Sequence, residues 1–222
     1  MTSGDANTRD RLLDAAIALF ARQGYASTSV ADIQQACGLS AGSGALYKHF
    51  PSKSALLQEA TQRQVDQIVA AREAHDGARP ADAHEALRRA AEQIWGTIEG
   101  NANLLRVMFR EPEAIEDYAD ELWSAVTFNA YDRMGSALSA AAAAGPSGAE
   151  DPEATSAVLL AGLVYLPIVQ LLISRSPGSI DGDRFRAAWL RLAESVFAGA
   201  APVVVGELAE GWLPAAVELG RE

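Results

Sequence analysis

Along most of the chain, apolar side chains return every third or fourth position, the spacing that lines one face of an α-helix. Leu12, Leu13, Ala16, Ile17, Leu19 and Phe20 carry this period behind Thr8, a candidate N-cap, and Gly24 ends the helix. Ser29-Val30-Ala31-Asp32 reads as a capping-box variant that opens a short second helix stopping near Gly38. Ser40 is placed to cap a third helix reaching Tyr47. Ser52, after Pro51, is placed to cap a fourth that runs towards Asp76-Gly77. Further helices are expected over Asp82–Glu99, Asn103–Phe109, Glu113–Ala144, Pro152–Ser174 and Asp183–Ala200, with a linker at Gly145–Gly148 and a turn at Ser176–Ser179. The tail after Pro202 reads as one more short amphipathic helix. Period-two strands and internal repeats are missing from the pattern, so the fold class is all-α.

One stretch departs from amphipathic spacing. Ala157–Ile173 is apolar but for Gln170, and no charge falls between Ala154 and Ser174. Its 17 residues fall just under the length of about 18 that suggests a membrane span, and Gly162, Pro167 and Gln170 interrupt it. It reads as a helix covered on every side within soluble protein, with no membrane partner.

Composition narrows the classes further. The single cysteine, Cys37, excludes an internal disulfide framework, and no Cys/His spacing suits structural zinc, so no metal or cofactor is expected. Cys37 reads as a small core residue. These features, with an N-terminus unlike a secretory signal, predict a cytoplasmic protein. The acidic run Glu111–Glu121 reads as a solvated helix start favoured by the helix dipole rather than a cation site. The net charge of −11 would argue against nucleic acid, but its distribution does not. Residues 1–60 hold five basic side chains (Arg9, Arg11, Arg22, Lys48, Lys53) and five acidic ones, so the remainder carries the whole excess. A neutral N-terminal unit on an acidic body suggests two tasks on one chain.

Two readings compete at Gly38-Leu39-Ser40-Ala41-Gly42, which matches the G-x-S-x-G elbow of serine hydrolases. An elbow needs a strand before it and a downstream acid and histidine, whereas helix precedes Gly38, and the later His75 and His84 lie in polar helical sequence. A hydrolase using Ser40 is therefore set aside, and no catalytic residue is assigned. A helix-turn-helix explains more. Ile33, Leu39, Leu46 and Phe50 supply its inner side, and Ser40, Ser43, Gly44, Tyr47 and Lys48 its outer side. Tyr47, Lys48, His49 and Lys53 are candidate phosphate donors, with Tyr47 also packing its ring on the first helix. Thr28 and Ser29 are cap candidates that could add phosphate contacts.

Thr28-Ser29-Val30-Ala31-Asp32-Ile33, Gly38-Leu39-Ser40 and Ala45-Leu46-Tyr47-Lys48-His49-Phe50-Pro51-Ser52-Lys53, with Leu56-Leu57 and Gly24-Tyr25, resemble the DNA-binding domain of TetR-family regulators. The resemblance covers about residues 8–60; the rest matches in architecture. It implies an N-terminal three-helix DNA-binding domain over residues 1–51 and a larger helical ligand-binding and dimerisation domain over 52–222. It further implies a one-component repressor that leaves a palindromic duplex operator on binding a small apolar or amphipathic molecule. Two residues within Ala41–Gly44 exceed the family's usual span; a lengthened turn or a recognition helix extended by half a turn each fits.

The implied inducer cavity would be lined by Trp95, Arg106, Phe109, Trp123, Phe128, Tyr131 and Tyr165, with Arg106 or Gln93 orienting a polar end. Each taken singly is also an ordinary core residue. The implied homodimer would join the last two major helices through Leu163, Leu166, Gln170, Phe185, Trp189 and Leu192. The alternative is a DNA-binding or protein-binding module of the same fold without an inducer.

Overall fold

The computed structural model describes residues 3–40, 44–73, 83–144 and 150–197. Among these there is no strand. The elements in order are α1 (Ser3–Gln23), α2 (Val30–Ala36), a 3-10 turn at Leu46–Lys48, α3 (Lys53–Glu73), α4 (Ala83–Gly100), α5 (Ala102–Arg110), a 3-10 segment at Pro112–Tyr118, α6 (Ala119–Trp123), a π turn at Ser124–Phe128, α7 (Asn129–Ala144), α8 (Pro152–Ile173) and α9 (Gly182–Phe197). The expectations for Ala41-Gly42-Ser43, Asp76-Gly77, Gly145–Gly148, residues 198–200 and the tail after Pro202 fall outside the described residues.

Two compact units divide the chain. Among the described residues, one joins those up to Gln67 with Asn101–Leu122; the other holds Ile68–Gly100 and those from Trp123 to Phe197. In the first unit α5 and most of α3 pack with the helix-turn-helix. Burial explains this: Leu56, Leu57 and Ala60 of α3 and Leu104, Val107 and Met108 of α5 are all buried, and α5 packs on α1.

In the first unit α1 turns Leu12, Leu13, Ala16 and Phe20 inward. Each large side chain so buried stabilises by about 1.5–3 kcal/mol. The helix begins at Ser3, not at Thr8, since no proline intervenes and a nucleated helix propagates cheaply. Gly24 closes it with φ 92°, its N–H donating to the Phe20 carbonyl at 3.0 Å. A side chain at Gly24 would also meet Glu111 Oε1 at 2.9 Å.

The long helix expected from Glu113 changes type three times, from 3-10 to α, to π and back to α. Ile115 and Tyr118 are both buried and three residues apart, a match to the three-residue turn of the 3-10 segment. Farther on, the buried positions Leu122, Ala125, Ala130, Met134 and Leu138 step by three or four residues, except for one step of five. The π turn at Ser124–Phe128 absorbs that extra residue and keeps the inward face continuous.

Helix α8 organises the second unit, packing on α4, α7 and α9. Asp151 caps it by accepting from the Ala154 N–H at 3.0 Å, and Pro152 occupies its first turn, where no donor is needed. Pro167, deeper in the helix, lacks the N–H that would serve the Leu163 carbonyl four residues back. Trp95 of α4 supplies the missing donor: its indole Nε1–H reaches that carbonyl at 2.9 Å. One turn earlier the Trp189 indole of α9 donates to the Leu159 carbonyl at 2.7 Å. The Trp95 ring lies against the chain at Gly182, where an added Cβ would stand 2.6 Å from it, and the Arg186 guanidinium covers it at 4.4 Å from the ring centroid.

Trp95→Phe keeps the ring but removes the donor, and should destabilise the chain by about 1–3 kcal/mol in urea unfolding. Pro167→Ala returns a backbone donor to Leu163, so in that background the same substitution should cost under about 1 kcal/mol. Equal costs in both backgrounds would show that the indole does not compensate for the proline.

Candidate nucleic-acid interface

The capping box at the start of α2 forms as read. The Ser29 hydroxyl accepts from the Asp32 N–H at 3.1 Å and donates to Asp32 Oδ2 at 2.7 Å, while the Ser29 N–H donates to the same oxygen at 2.8 Å. These bonds hold the Asp32 carboxyl below its usual range. They also commit the Ser29 hydroxyl proton to the cap. Thr28 is fully buried, and its hydroxyl donates to the Gly24 carbonyl at 2.7 Å. Its expected phosphate contact is therefore corrected: Thr28 staples the turn between α1 and α2 from inside.

Lys53 carries a structural task as well. Its ammonium donates to the Tyr25 carbonyl at 2.9 Å and the Thr28 carbonyl at 3.1 Å, and lies 4.1 Å from the centroid of the Tyr25 ring. The first residue of α3 thus grips the turn before α2, while Ser52 caps α3 by accepting from the Ala55 N–H at 3.0 Å. A grip across 25 residues of sequence leaves no local signal. The same holds for Arg11, whose guanidinium donates to the Cys37 carbonyl. The Cys37 thiol donates back to the Arg11 carbonyl at 3.2 Å, and burial pushes its pKa up, so it is an unreactive core thiol.

Beyond Cys37 the backbone reverses at Gly38, φ 69°, and the Leu39 N–H returns to the Gln34 carbonyl at 2.9 Å. Ser40 is exposed. Gly44 stands at φ 64°, a left-handed conformation that no right-handed helix can run through. Ser40 therefore caps no helix reaching Tyr47, and a 3-10 turn at Leu46–Lys48 carries Tyr47 and Lys48. Buried Leu46 and Phe50 anchor that turn, and the Leu46 carbonyl accepts from the His49 and Phe50 N–H groups at 2.9 Å each. Tyr47 is 60% exposed rather than packed on α1, Lys48 is exposed, and His49 is half-buried beside Phe50. Ser43 lies outside the described residues. Helix α2 occupies the place of the strand that a nucleophile elbow requires.

The expected cavity residues are shared between the two compact units. Arg106 and Phe109 belong to the first compact unit; Trp95, Trp123, Phe128, Tyr131 and Tyr165 belong to the second. Phe109, Phe128 and Tyr165 are exposed, at 42%, 52% and 57%, and Trp95 is committed to the α8 clasp.

The expected dimer residues are also redistributed. Leu163, Leu166 and Trp189 are buried within their own chain, Phe185 stands beside Trp95, and Gln170 donates to the Ser176 hydroxyl at 2.7 Å. Leu192 is exposed. The outward face of α8 instead shows Val158, Ala161, Gly162, Tyr165 and Ile173. A helix apolar all round has no periodicity by which sequence could choose between its faces. It is long and apolar enough to cross a membrane, with mean hydropathy 2.2, which for one helix is weak evidence.

Residues 12–60 match the model of the family described as bacterial regulatory proteins, tetR family. Over 67 residues the chain is 42% identical to the HTH-type transcriptional repressor KstR2 of Rhodococcus jostii (strain RHA1), covering 30% of this chain and 32% of that repressor. Matches to the other curated relatives also span less than two thirds of their length. The fold is similar to a transcriptional regulator from Saccharomonospora viridis solved with choline, at 25% identity and TM-score 0.66, covering 85% of this chain and 96% of that one. It is also similar to AibR, solved with isovaleryl coenzyme A and operator DNA, at 18% identity and TM-score 0.61, covering 83% and 97%.

Thr28→Val preserves shape but leaves the Gly24 carbonyl without its donor. It should destabilise the chain by about 1–3 kcal/mol in urea unfolding, and an unchanged midpoint would remove Thr28 from the turn's support.

Proposed function

We propose that this chain, which belongs to the TetR family of bacterial regulatory proteins, docks on operator DNA in the cytoplasm as a homodimer and leaves it on binding a small apolar or amphipathic molecule. One observation carries the DNA reading. Exposed Tyr47 and Lys48 stand on a short turn anchored by buried Leu46 and Phe50, while Arg11 and Lys53 hold the two ends of the region around α2. Short rigid turns with exposed donors suit a reading head, since phosphate contacts set register before base edges are read. Ser40 and His49 flank the same turn, and with Lys53 they complete the proposed contact set.

The homodimer reading is supported by the outer face of α8 and its neighbour α9. Val158, Tyr165, Ile173 and Leu192 are 72%, 57%, 60% and 59% exposed in the single chain. An apolar surface on this scale favours a partner, and a second copy brings a second head for the other half of a palindromic site. The small-molecule reading draws on the choline-bound structural relative and on the expected aromatic residues of α7 and α8. The commitment of Trp95 favours a second reading, a DNA-docking module without an inducer; release of DNA by amphipathic ligands separates the two.

Incubating the full chain with a random-sequence duplex pool should enrich sites of twofold symmetry. Val158→Lys with Tyr165→Lys should yield monomers in sedimentation and at least a tenfold weaker hold on those sites, about 1.4 kcal/mol or more. A pool without enrichment would defeat the DNA reading; unchanged sedimentation would defeat the dimer face.

A further inference from the structure

Lys53 opens α3, and a cation at that end of a helix works against the helix dipole, which favours anions there. The first turn of α3 holds no acidic residue to offset the charge. The turn between α1 and α2 takes up part of it, through the Tyr25 carbonyl at 2.9 Å and the Thr28 carbonyl at 3.1 Å. An ammonium has three N–H groups. The third has no acceptor among the described residues, and the side chain is only half-buried. The ammonium is thus held from inside by two bonds and keeps one donor for an outside acceptor.

The Tyr25 ring completes this cradle. Its centroid lies 4.1 Å from Lys53 Nζ, well within the range of a cation–π contact. Burial raises the Tyr25 pKa, so the ring meets the ammonium as a neutral phenol and not as a counter-ion. The ring is itself fixed, tilted at 54° to the buried Phe20 ring with 5.1 Å between centroids. The two carbonyls are fixed as well. The Thr28 hydroxyl ties the Gly24 carbonyl at 2.7 Å, and the Thr28 N–H donates to the Tyr25 carbonyl at 3.2 Å. A lysine side chain left free keeps many rotamers, and ordering it against a phosphate costs affinity. Here much of that ordering is complete before a duplex arrives.

We infer that Tyr25 is a positioning residue for DNA docking: its ring face holds the Lys53 ammonium with one N–H free for a backbone phosphate. This role rests on the DNA-docking reading above and adds to it a residue that needs no DNA contact of its own. Tyr25 acts through Lys53, so its effect on affinity exists only while residue 53 carries a charge. A ring that merely packed the turn between α1 and α2 would contribute the same with or without that charge.

The test is the affinity of the full chain for a duplex enriched from the random pool, with residue 25 varied in the parent and in Lys53→Gln. Tyr25→Phe keeps the ring face and should bind within about twofold of the parent. A polyfluorinated phenylalanine at the same position keeps the shape but strips negative charge from the face. Over the two heads of a dimer it should bind about tenfold more weakly than Tyr25→Phe. Lys53→Gln keeps a donor for the turn and removes the charge, so it should shrink the salt slope of log K by about 1.8. In that background the fluorinated ring should change affinity less than about twofold. Equal losses in both backgrounds, or no loss in the parent, would overturn the inference while leaving DNA docking in place. An unchanged slope in Lys53→Gln would do the same, since Tyr25 would have nothing to position. Failure of the parent chain to bind any duplex would overturn both.

Discussion

Helix α8 sets the terms for the second compact unit. Between Glu153 and Arg175 it offers no charge to water, and Pro167 leaves one of its own carbonyls without a backbone donor. A buried carbonyl without a donor costs more than a typical hydrogen bond contributes. Two tryptophans from different helices answer that requirement, Trp95 on Leu163 and Trp189 on Leu159. Each indole also fills the space it crosses, so polar satisfaction and packing are achieved by the same atoms. The close approach of Trp95 to Gly182 then fixes where α9 begins. What remains uncovered is the opposite face of α8, where Val158, Tyr165 and Ile173 are exposed.

The first unit meets a different constraint. Its head, residues 1–60, holds as many acids as bases, so on the proposed reading it docks on a polyanion without a basic patch. It meets this by committing most of its charge to its own backbone and helix contacts. Arg11, Lys53 and the Ser29 cap tie both ends of α2, so the turn carrying Tyr47 is held by hydrogen bonds rather than by a long recognition helix. Rigidity of this kind lowers the ordering cost of docking. It also separates affinity from salt, since a neutral hydroxyl or backbone donor releases no counterion.

Much of this was legible in the residues. The spacing of Leu12 to Phe20, the Ser29–Asp32 box, Ser52 as a cap and the resemblance around Tyr47 gave helix order, helix type and a DNA-binding head. Faces and partners were not legible where they depend on distant residues. Thr28 and Lys53 have the chemistry of phosphate donors, and only the fold shows the Thr28 hydroxyl and two of the Lys53 N–H groups turned inward. Ser40 looks like a helix cap until Gly44 takes a left-handed φ. The step from Ala125 to Ala130 carries the π turn in plain view, as one apolar interval of five. In α8 the pattern is silent, because every face is apolar; Leu163 and Leu166 were assigned outward and point inward.

The pairing of two chains through the outer face of α8 is the claim on which the twofold reading of DNA rests. Single cysteines placed by turn along α8, in a chain whose own Cys37 is buried, test it most directly under mild oxidation. Crosslinked dimers should form from variants at Val158, Ala161 or Tyr165 and not from those at Leu159, Leu163 or Leu166. Crosslinking from the inward set, or from neither set, would contradict it.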